Sequence, residues 1–371
     1  MAIPSDVVIR KANASDHSAI VDLIDENGVH DYLPALYPWL VLDPDNFPFV
    51  ATLDGRVAAY GMASVLDGGL TALFRSGRVH KDFRELGLLR AIFEHVHRFS
   101  SDHMPFRLHD SLSVTDERDK NNESVRAYGY RPVLKREGLQ MSYQIPKSAP
   151  IESVKNNPKA PIDVRALTHF DLYRMFHADS FCRELFPEGR LFSWYVGYRL
   201  MPENIRHLVS PWGGAFASFQ ESCPSTVPSC GTHTSQTDSP KTNIGGGFPS
   251  NKHQDNILGT NFPDNVAMVT FYNSHATKYG AFHSLDIYAV PGVSRDHVQA
   301  HLRQNLETLQ RRFAGQRAAL ALTFDTNTSM ECVTSCLSEQ GISELLPHQD
   351  KWQVLYERTV KVKRGEGEGE A

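Results

Sequence analysis

The sequence predicts an α/β chain, of the α+β kind, built in two halves of similar length. Short apolar runs with strand character alternate with segments whose apolar residues recur at helical spacing. A Lys- and Pro-rich stretch, KSAPIESVKNNPKAP at 147–161, interrupts them like a linker. Beyond it, the order strand–helix–strand–helix–strand echoes the later part of the first half. A length of 371 residues suits two domains rather than one, and a hydrophobic fraction of 41% is enough for ordinary cores.

In chain order, Val7–Ala12 reads as a strand, and Asn13 to Asp16 supply a helix N-cap. Ala19, Ile20, Leu23 and Ile24 mark the buried side of that helix. An aromatic, Pro-rich segment follows, HDYLPALYPWLVLDPD at 30–45, expected to be a loop. There Tyr32, Leu33, Tyr37 and Trp39 have the rigid apolar area and polar tips that wall small-molecule pockets. Phe47–Leu53 and Arg56–Val65 are strands joined by a tight Asp54-Gly55 turn.

The stretch from Leu70 to Phe99 carries the most chemistry. A strand-like run, LTALFRSGRV, meets a short polar turn at His80–Phe83. Arg84-Glu85-Leu86-Gly87-Leu88-Leu89 then opens a helix with Leu88, Leu89, Ile92, Phe93, Val96 and Phe99 at helical spacing. The first backbone N–H groups of a helix have no partners within it, and its dipole favours negative charge. Gly87 allows close approach to the backbone and Arg84 supplies a cation, so this turn suits a diphosphate. Phe106–Val114 is a further strand, Asn122–Tyr128 a short helix, and Gly138–Ile145 a closing strand.

In the second half, 162–211 has a helical pattern with Phe170, Leu172, Tyr173, Phe176 and Phe181 on one side. Residues 218–256 are dense in Ser, Thr, Pro, Gly, Asn and Gln and short of aliphatic side chains. Too little apolar surface is available there to offset ordering entropy, so a disordered insertion is expected. Val266–Tyr272 and His283–Val290 read as strands, Ser294–Phe313 as a helix, Ala318–Phe324 as a strand, Met330–Gln340 as a helix and Trp352–Val360 as a last strand. Residues 361–371 form a polar tail.

The order of elements in the first half, with the Arg84/Gly87 turn in its place, resembles a GCN5-related N-acetyltransferase (GNAT) domain. More narrowly, the 30–45 segment, the Asp67–Gly87 block, and the strings LDIYAVPG and WQVLYE resemble histidine N-acetyltransferase and its close relatives, over nearly the whole chain. The resemblance implies a mixed, mostly antiparallel twisted sheet flanked by helices, with an acetyltransferase domain at 1–146 and a degenerate, similar half at 162–360. It implies acetyl-coenzyme A as acetyl donor, held by Val79, Arg84, Glu85, Leu86, Gly87, Leu88 and Leu89. It also implies a small-molecule amine as acceptor, such as the α-amine of histidine or another amino acid, attacking directly in a ternary complex. A backbone N–H near Gly77 to Val79 would polarise the acetyl carbonyl. Tyr128 resembles the tyrosine that protonates the departing sulfur.

The chain departs from the family pattern at four points. Arg75 stands where close relatives have Glu, which leaves Glu26, Asp31, His109 and Asp110 as alternative bases. Arg75 itself offers a planar two-pronged donor for a substrate carboxylate, beside Asp31, Tyr32 and Tyr37 as substrate contacts. Glu85 stands where Gly is usual and Leu89 where a small residue is usual, and Gly129 follows Tyr128 directly. These departures keep open a non-catalytic binding protein of the same fold, with acetylation of protein N-termini or lysines as a third reading.

Net charge of −5 gives no drive toward nucleic acid. The N-terminus lacks a basic-then-apolar run and no apolar stretch approaches the ~20 residues that span a bilayer, so a cytoplasmic protein without membrane partners is expected. The five cysteines are odd in number and expected as thiols. Among the histidines, His95 and His97 lie two apart on one helix and face different ways, so no metal is expected. Nothing in the sequence sets an oligomeric state.

Overall fold

A computed structural model describes residues 4–24, 31–115, 123–147, 162–178, 183–220, 265–346 and 352–360. All of the expected linker but Lys147, most of the expected insertion and the polar tail lie outside these residues.

The first half contributes strands β1 (Val8–Lys11), β2 (Asn46–Leu53), β3 (Arg56–Leu66), β4 (Thr71–Val79), β5 (His109–Thr115) and β6 (Arg131–Gln144). The second half contributes β7 (Val164–Ala166), a hairpin of β8 (Arg190–Ser193) and β9 (Val196–Arg199), then β10 (Gly213–Phe219), β11 (Val266–Thr277), β12 (Gly280–Ala289), β13 (Arg317–Phe324) and β14 (Trp352–Thr359). Apart from the hairpin, the described strands form one sheet in the order β1-β2-β3-β4-β5-β14-β6-β13-β12-β11-β10-β7. Neighbours are antiparallel except β4 with β5 and β12 with β13, so the sheet is mixed and mostly antiparallel, as the resemblance implies.

The centre of that order is an exchange. β6, from the first half, pairs with β13, from Arg317 opposite Gln144 to Phe324 opposite Glu137. β14, from the second half, pairs with β5, from Gln353 opposite Thr115 to Thr359 opposite His109. The two exchanged strands also pair with each other. Each half is therefore closed by the other's last strand, where the sequence reading let each close on its own. Leu139, Met141 and Tyr143 of β6 are buried with Leu320, Leu322, Val298 and Leu302 of the second half. Val354 and Tyr356 of β14 are buried with Tyr130 of the first. Ending the chain at Leu346 would strip β14 from two strands at once and bare both edges. The expected result is loss of soluble folded protein, read by size-exclusion chromatography and circular dichroism; a monodisperse, cooperatively melting product would show the exchange dispensable.

Helices cover both faces. Helix α3 (Leu88–His103, with α1 at His17–Asp22 and α2 at Leu33–Leu42) buries Leu88, Ala91, Ile92 and Val96 on one face of β2 to β4. Gly61 and Gly77 admit it closely: a Cβ at these positions would stand 2.9 Å from Ile92 Cγ2 and 2.8 Å from Leu89 Cδ1. On the opposite face lies α2, where a loop is expected from sequence. Leu33, Leu36, Tyr37 and Leu40 recur at helical spacing and are buried, against Tyr60 and Met62 and across to Trp194, Phe282, Ala319 and Ala321 of the second half. Pro34 sits in its first turn, where no N–H is needed, and Pro38 lies inside the helix. In the second half, the expected helical stretch 162–211 contains α5 (His169–His177, following α4 at Glu123–Ala127) and α6 (Ile205–Leu208), but also the β8–β9 hairpin. Helix α7 (Arg295–Phe313) and α8 (Met330–Ser338) pack on its sheet.

Candidate active site

Strands β4 and β5 run side by side only from Thr71 opposite His109 to Leu73 opposite Ser111. Beyond that point each continues, to Val79 and Thr115, but they no longer pair. Their outer edges stay fixed by β3 and β14, so the sheet opens between them. Just past the parting, β4 bulges. Tyr60 opposes Arg78 and Met62 opposes Arg75, which leaves Ser76 and Gly77 facing Gly61 alone. Ser76 takes up the extra residue with φ of 63°, a left-handed conformation. Among the described residues the second half shows no such opening. There β12 and β13 pair from Ala281 opposite Ala318 to Ile287 opposite Phe324, and β11–β12 register runs unbroken.

At the end of β4 the chain turns through Arg84–Leu89 into α3. Gly87 is the N-cap, with φ of 74°, and no side chain caps the helix. Leu86 and Phe83 pack toward the sheet, Leu89 lies against Gly77, and Arg84 and Glu85 are exposed. Glu85 has φ of 66°, so it occupies a left-handed position that favours glycine. The turn thus offers uncapped backbone N–H groups beside one cation and one carboxylate.

On the opposite face of the opening, residues from both halves meet. Asp31 Oδ1 accepts the Leu33 N–H at 2.9 Å, and its Oδ2 accepts from Arg78 Nε at 2.7 Å, which ties the start of α2 to β4. The Tyr32 hydroxyl lies 2.6 Å from Ser76 Oγ on the bulge. The Arg75 guanidinium carbon stands 5.5 Å from the Tyr32 ring centroid and 5.1 Å from that of Trp194. Trp194 and Tyr195 form the two-residue turn of the β8–β9 hairpin, and both are left-handed, with φ of 49° and 63°. Such turns normally take Asn-Gly or similar pairs, so two bulky rings here carry strain of the sort found at functional sites. The turn is pinned: Trp194 N–H donates to Asp286 Oδ2 at 3.0 Å, and the Tyr195 carbonyl accepts from Ser113 of β5. His275 of β11 closes the cluster, 5.8 Å from Trp194 and 6.5 Å from Tyr32 between ring centroids.

The structure thus brings together Asp31, Tyr32 and Arg75, but not the other candidates. Tyr37 is fully buried between α1, α2 and β3, and its hydroxyl donates to the Asn13 carbonyl at 2.7 Å. Asp110 is fully buried on the α3 face, beside the still-paired part of β4 and β5. Its Oδ2 accepts from Arg358 Nη2 at 2.7 Å and Nε at 3.0 Å, with His97 Nδ1 at 3.3 Å, and Arg107 approaches Oδ1 at 3.5 Å. Burial alone would raise its pKa, but the His97 hydrogen bond and the two guanidiniums hold it below the usual carboxylate range. His109 faces the second half, 3.6 Å from Glu357, which also accepts from Arg190 at 2.6 Å and Arg199 at 3.0 Å. Burial, then Arg199, pushes the His109 pKa down. Tyr128 is exposed just past α4, within electrostatic reach of Arg90 on the first turn of α3. Val79 ends β4, opposite Ala59. Glu26 lies outside the described residues.

Sequence reasoning missed Ser76, Ser111, Trp194 and His275. Ser111, at the last paired position of β5, shares a face with His109 and Ser113; its buried hydroxyl has no hydrogen-bond partner among the described residues. Only Trp194-Tyr195 left a trace, as two aromatics between short apolar runs.

No protein-family profile matches the sequence, and no curated protein matches it. Solved structures match over almost its full length. A GCN5-related N-acetyltransferase from Sphaerobacter thermophilus superposes with a TM-score of 0.50 at 16% identity, covering 96% of this chain and 97% of its own. A tandem GNAT protein from the clavulanic acid biosynthesis pathway superposes with a TM-score of 0.50 at 14% identity, covering 95% and 98%. At these identities the likeness establishes the fold: two acetyltransferase-type halves in tandem, as the order of elements in the sequence predicts.

Proposed function

We propose that this protein is an acetyl-coenzyme A-dependent N-acetyltransferase whose acceptor is the amine of a small molecule, an amino acid such as histidine. The observation that carries the reading is the parting of β4 from β5 beside the uncapped start of α3, in the first half only. The bound donor would supply an activated acyl thioester. The turn fits its diphosphate through the backbone of Leu86 to Leu89, with Gly87 left-handed and Arg84 exposed. Val79 and the bulge before it lie where the donor's chain would follow β4. The halves, 1–146 and 162–360, divide the work: the first holds the donor, and the second walls the acceptor with its hairpin.

The residues on the acceptor side favour direct attack by a neutral amine. Of the two guanidiniums at the Tyr32 ring, Arg78 is offset by Asp31, and the remaining positive charge of Arg75 disfavours a protonated amine beside it. Among the described residues the free thiols are Cys332 and Cys336 on α8, which packs on the second half's sheet, so neither of these two is placed to carry the acyl group. Asp31 and Asp110 are both engaged by arginine, which leaves His109 and Glu26 as the bases to take the proton, directly or through one water. Tyr128 is the group we assign to protonate the departing sulfur.

Glu85 and the capture of Asp110 favour a second reading, a protein of this fold that binds the cofactor without turnover. Thiol release from acetyl-coenzyme A by the purified protein, across a panel of free amino acids including histidine, separates the two. Saturable release with one acceptor supports the transferase; tight cofactor binding by calorimetry without release supports the second reading. Glu85→Gly removes a carboxylate from the turn and relieves a left-handed residue, a strain of about 1–2 kcal/mol for a side-chain-bearing residue. Its expected effect is a higher melting temperature and about tenfold tighter coenzyme A binding, the size of one removed exposed like charge. Unchanged affinity would place the Glu85 carboxylate away from the ligand.

A further inference from the structure

We propose that the acceptor is recognised by a carboxylate, taken by the two-pronged guanidinium of Arg75, and that Trp194 of the second half aims that guanidinium. The proposal deepens the acetyl-transfer reading above and rests on it for the identity of the site. Arg75 differs from the arginines around it. Arg78 has Asp31, Arg358 has Asp110, and Arg190 and Arg199 share Glu357. Arg75 is half-buried, yet among the described residues no carboxylate lies within ion-pair distance of it; its contacts are the rings of Tyr32 and Trp194.

Two rings so close shield a guanidinium from water and hold it, while its N–H donors point outward in its own plane. In that plane a carboxylate accepts two parallel hydrogen bonds. Arg75 immediately precedes the bulge, one residue before Ser76, so a ligand held there reaches the point where β4 and β5 part. A partly desolvated cation without an internal counter-ion also costs free energy that an anionic ligand would recover. The hairpin accounts for the rest. Two bulky residues are kept left-handed at its turn, fastened by Asp286 and by Ser113, and the outcome is one indole set against Arg75. The second half, whose own β12–β13 pair is closed, acts on the first half's opening through this turn.

The test is calorimetric titration of the full chain, saturated with coenzyme A, using free amino acids and their primary amides in matched pairs, histidine among them. The expected result is that at least one acid binds, with its amide at least about tenfold weaker, the usual size of a lost charge-assisted hydrogen-bond pair. Arg75→Met should bring acid and amide within about twofold while coenzyme A affinity stays constant, and Arg75→Lys should fall between, since it keeps charge without the fork. Trp194→Leu should weaken the acid more than the amide. Equal binding of acid and amide by the natural sequence, a preference that survives Arg75→Met, or no binding of any acid would each overturn the proposal. Preferred binding of an acid without thiol release would uphold the Arg75 site and overturn the transferase reading instead.

Discussion

Replacing Gly87 with glutamate is expected to abolish coenzyme A binding, whereas the same replacement at Gly292 leaves it intact. The two glycines make a matched pair. Each lies in the turn between a strand and the long helix of its half, Gly87 as the N-cap of α3 and Gly292 two residues before Ser294, the N-cap of α7, and each is left-handed, with φ of 74° and 78°. Glutamate therefore brings the same backbone penalty to both, about 1–2 kcal/mol. Only at Gly87 does it add a negative charge to the N-cap of α3, where a diphosphate would meet the uncapped N–H groups. At 4 Å and an effective dielectric near 20, one such repulsion is about 4 kcal/mol, roughly a thousandfold in affinity. Among the described residues the second half has neither an opening nor a bulge beside its turn, and its α7 already carries Asp296 in the first turn. Calorimetry with coenzyme A at matched folded fractions decides it. Equal loss at both positions would mean that the second half also binds, and no loss at Gly87 would remove the turn from the cofactor site.

Acidification from pH 6.5 toward 4 is expected to destabilise the protein steeply, through histidines in the second half. His301 is fully buried on α7; its Nδ1 lies 3.0 Å from Thr270 Oγ1 and its Nε2 3.0 Å from Ser218 Oγ. His283, on β12, lies 2.7 Å from Ser274 Oγ. Burial pushes both down to about 3, helped by His297 near the first and by Arg312 and His275 near the second. His207 is pushed to about 4, by burial and then by Arg206. An unfolded chain protonates histidine near 6.5. Between that value and the folded ones, the unfolded state binds protons that the folded state refuses, so stability falls as pH drops through this window. Asp286 works the other way. Burial raises it to about 6, so the folded state holds a proton there that an unfolded aspartate releases, and this offsets one histidine between about 6 and 4. With the offset, about two protons remain, a slope of about 2.7 kcal/mol per pH unit. Urea unfolding across pH 7.5 to 4.5 measures it, and His301→Gln should remove about one proton from the slope. A flat profile would show that these histidines protonate without unfolding the chain.

How much of this was legible in the chain depends on how local the signal is. The α3 apolar face, the Asp54-Gly55 turn and the Arg84–Leu89 turn announce themselves within a dozen residues, because helical period, turn chemistry and uncapped N–H groups are properties of neighbours along the backbone. Helix α2 was within reach by spacing, with Leu33, Leu36, Tyr37 and Leu40 on one side, but two prolines and an unbroken run of apolar residues hid it. The β8–β9 hairpin was not legible: aromatics at both left-handed turn positions are the opposite of the turn signature, and what holds them, Asp286 and Ser113, lies far off in sequence.

The tertiary structure alone decided what surrounds the candidate residues. Asp110 looked available as a base until Arg358, 248 residues later, reached it through the exchanged β14. Arg75 looked like a lost acid until Tyr32 and a tryptophan of the other half closed on it. By itself the sequence determined the fold class, the order of elements and the place of the phosphate-type turn, all set by short-range pattern. Which strands close which half, where the sheet opens and which charges are cancelled were set only on folding. Pairing and burial act between residues that the chain keeps hundreds of positions apart.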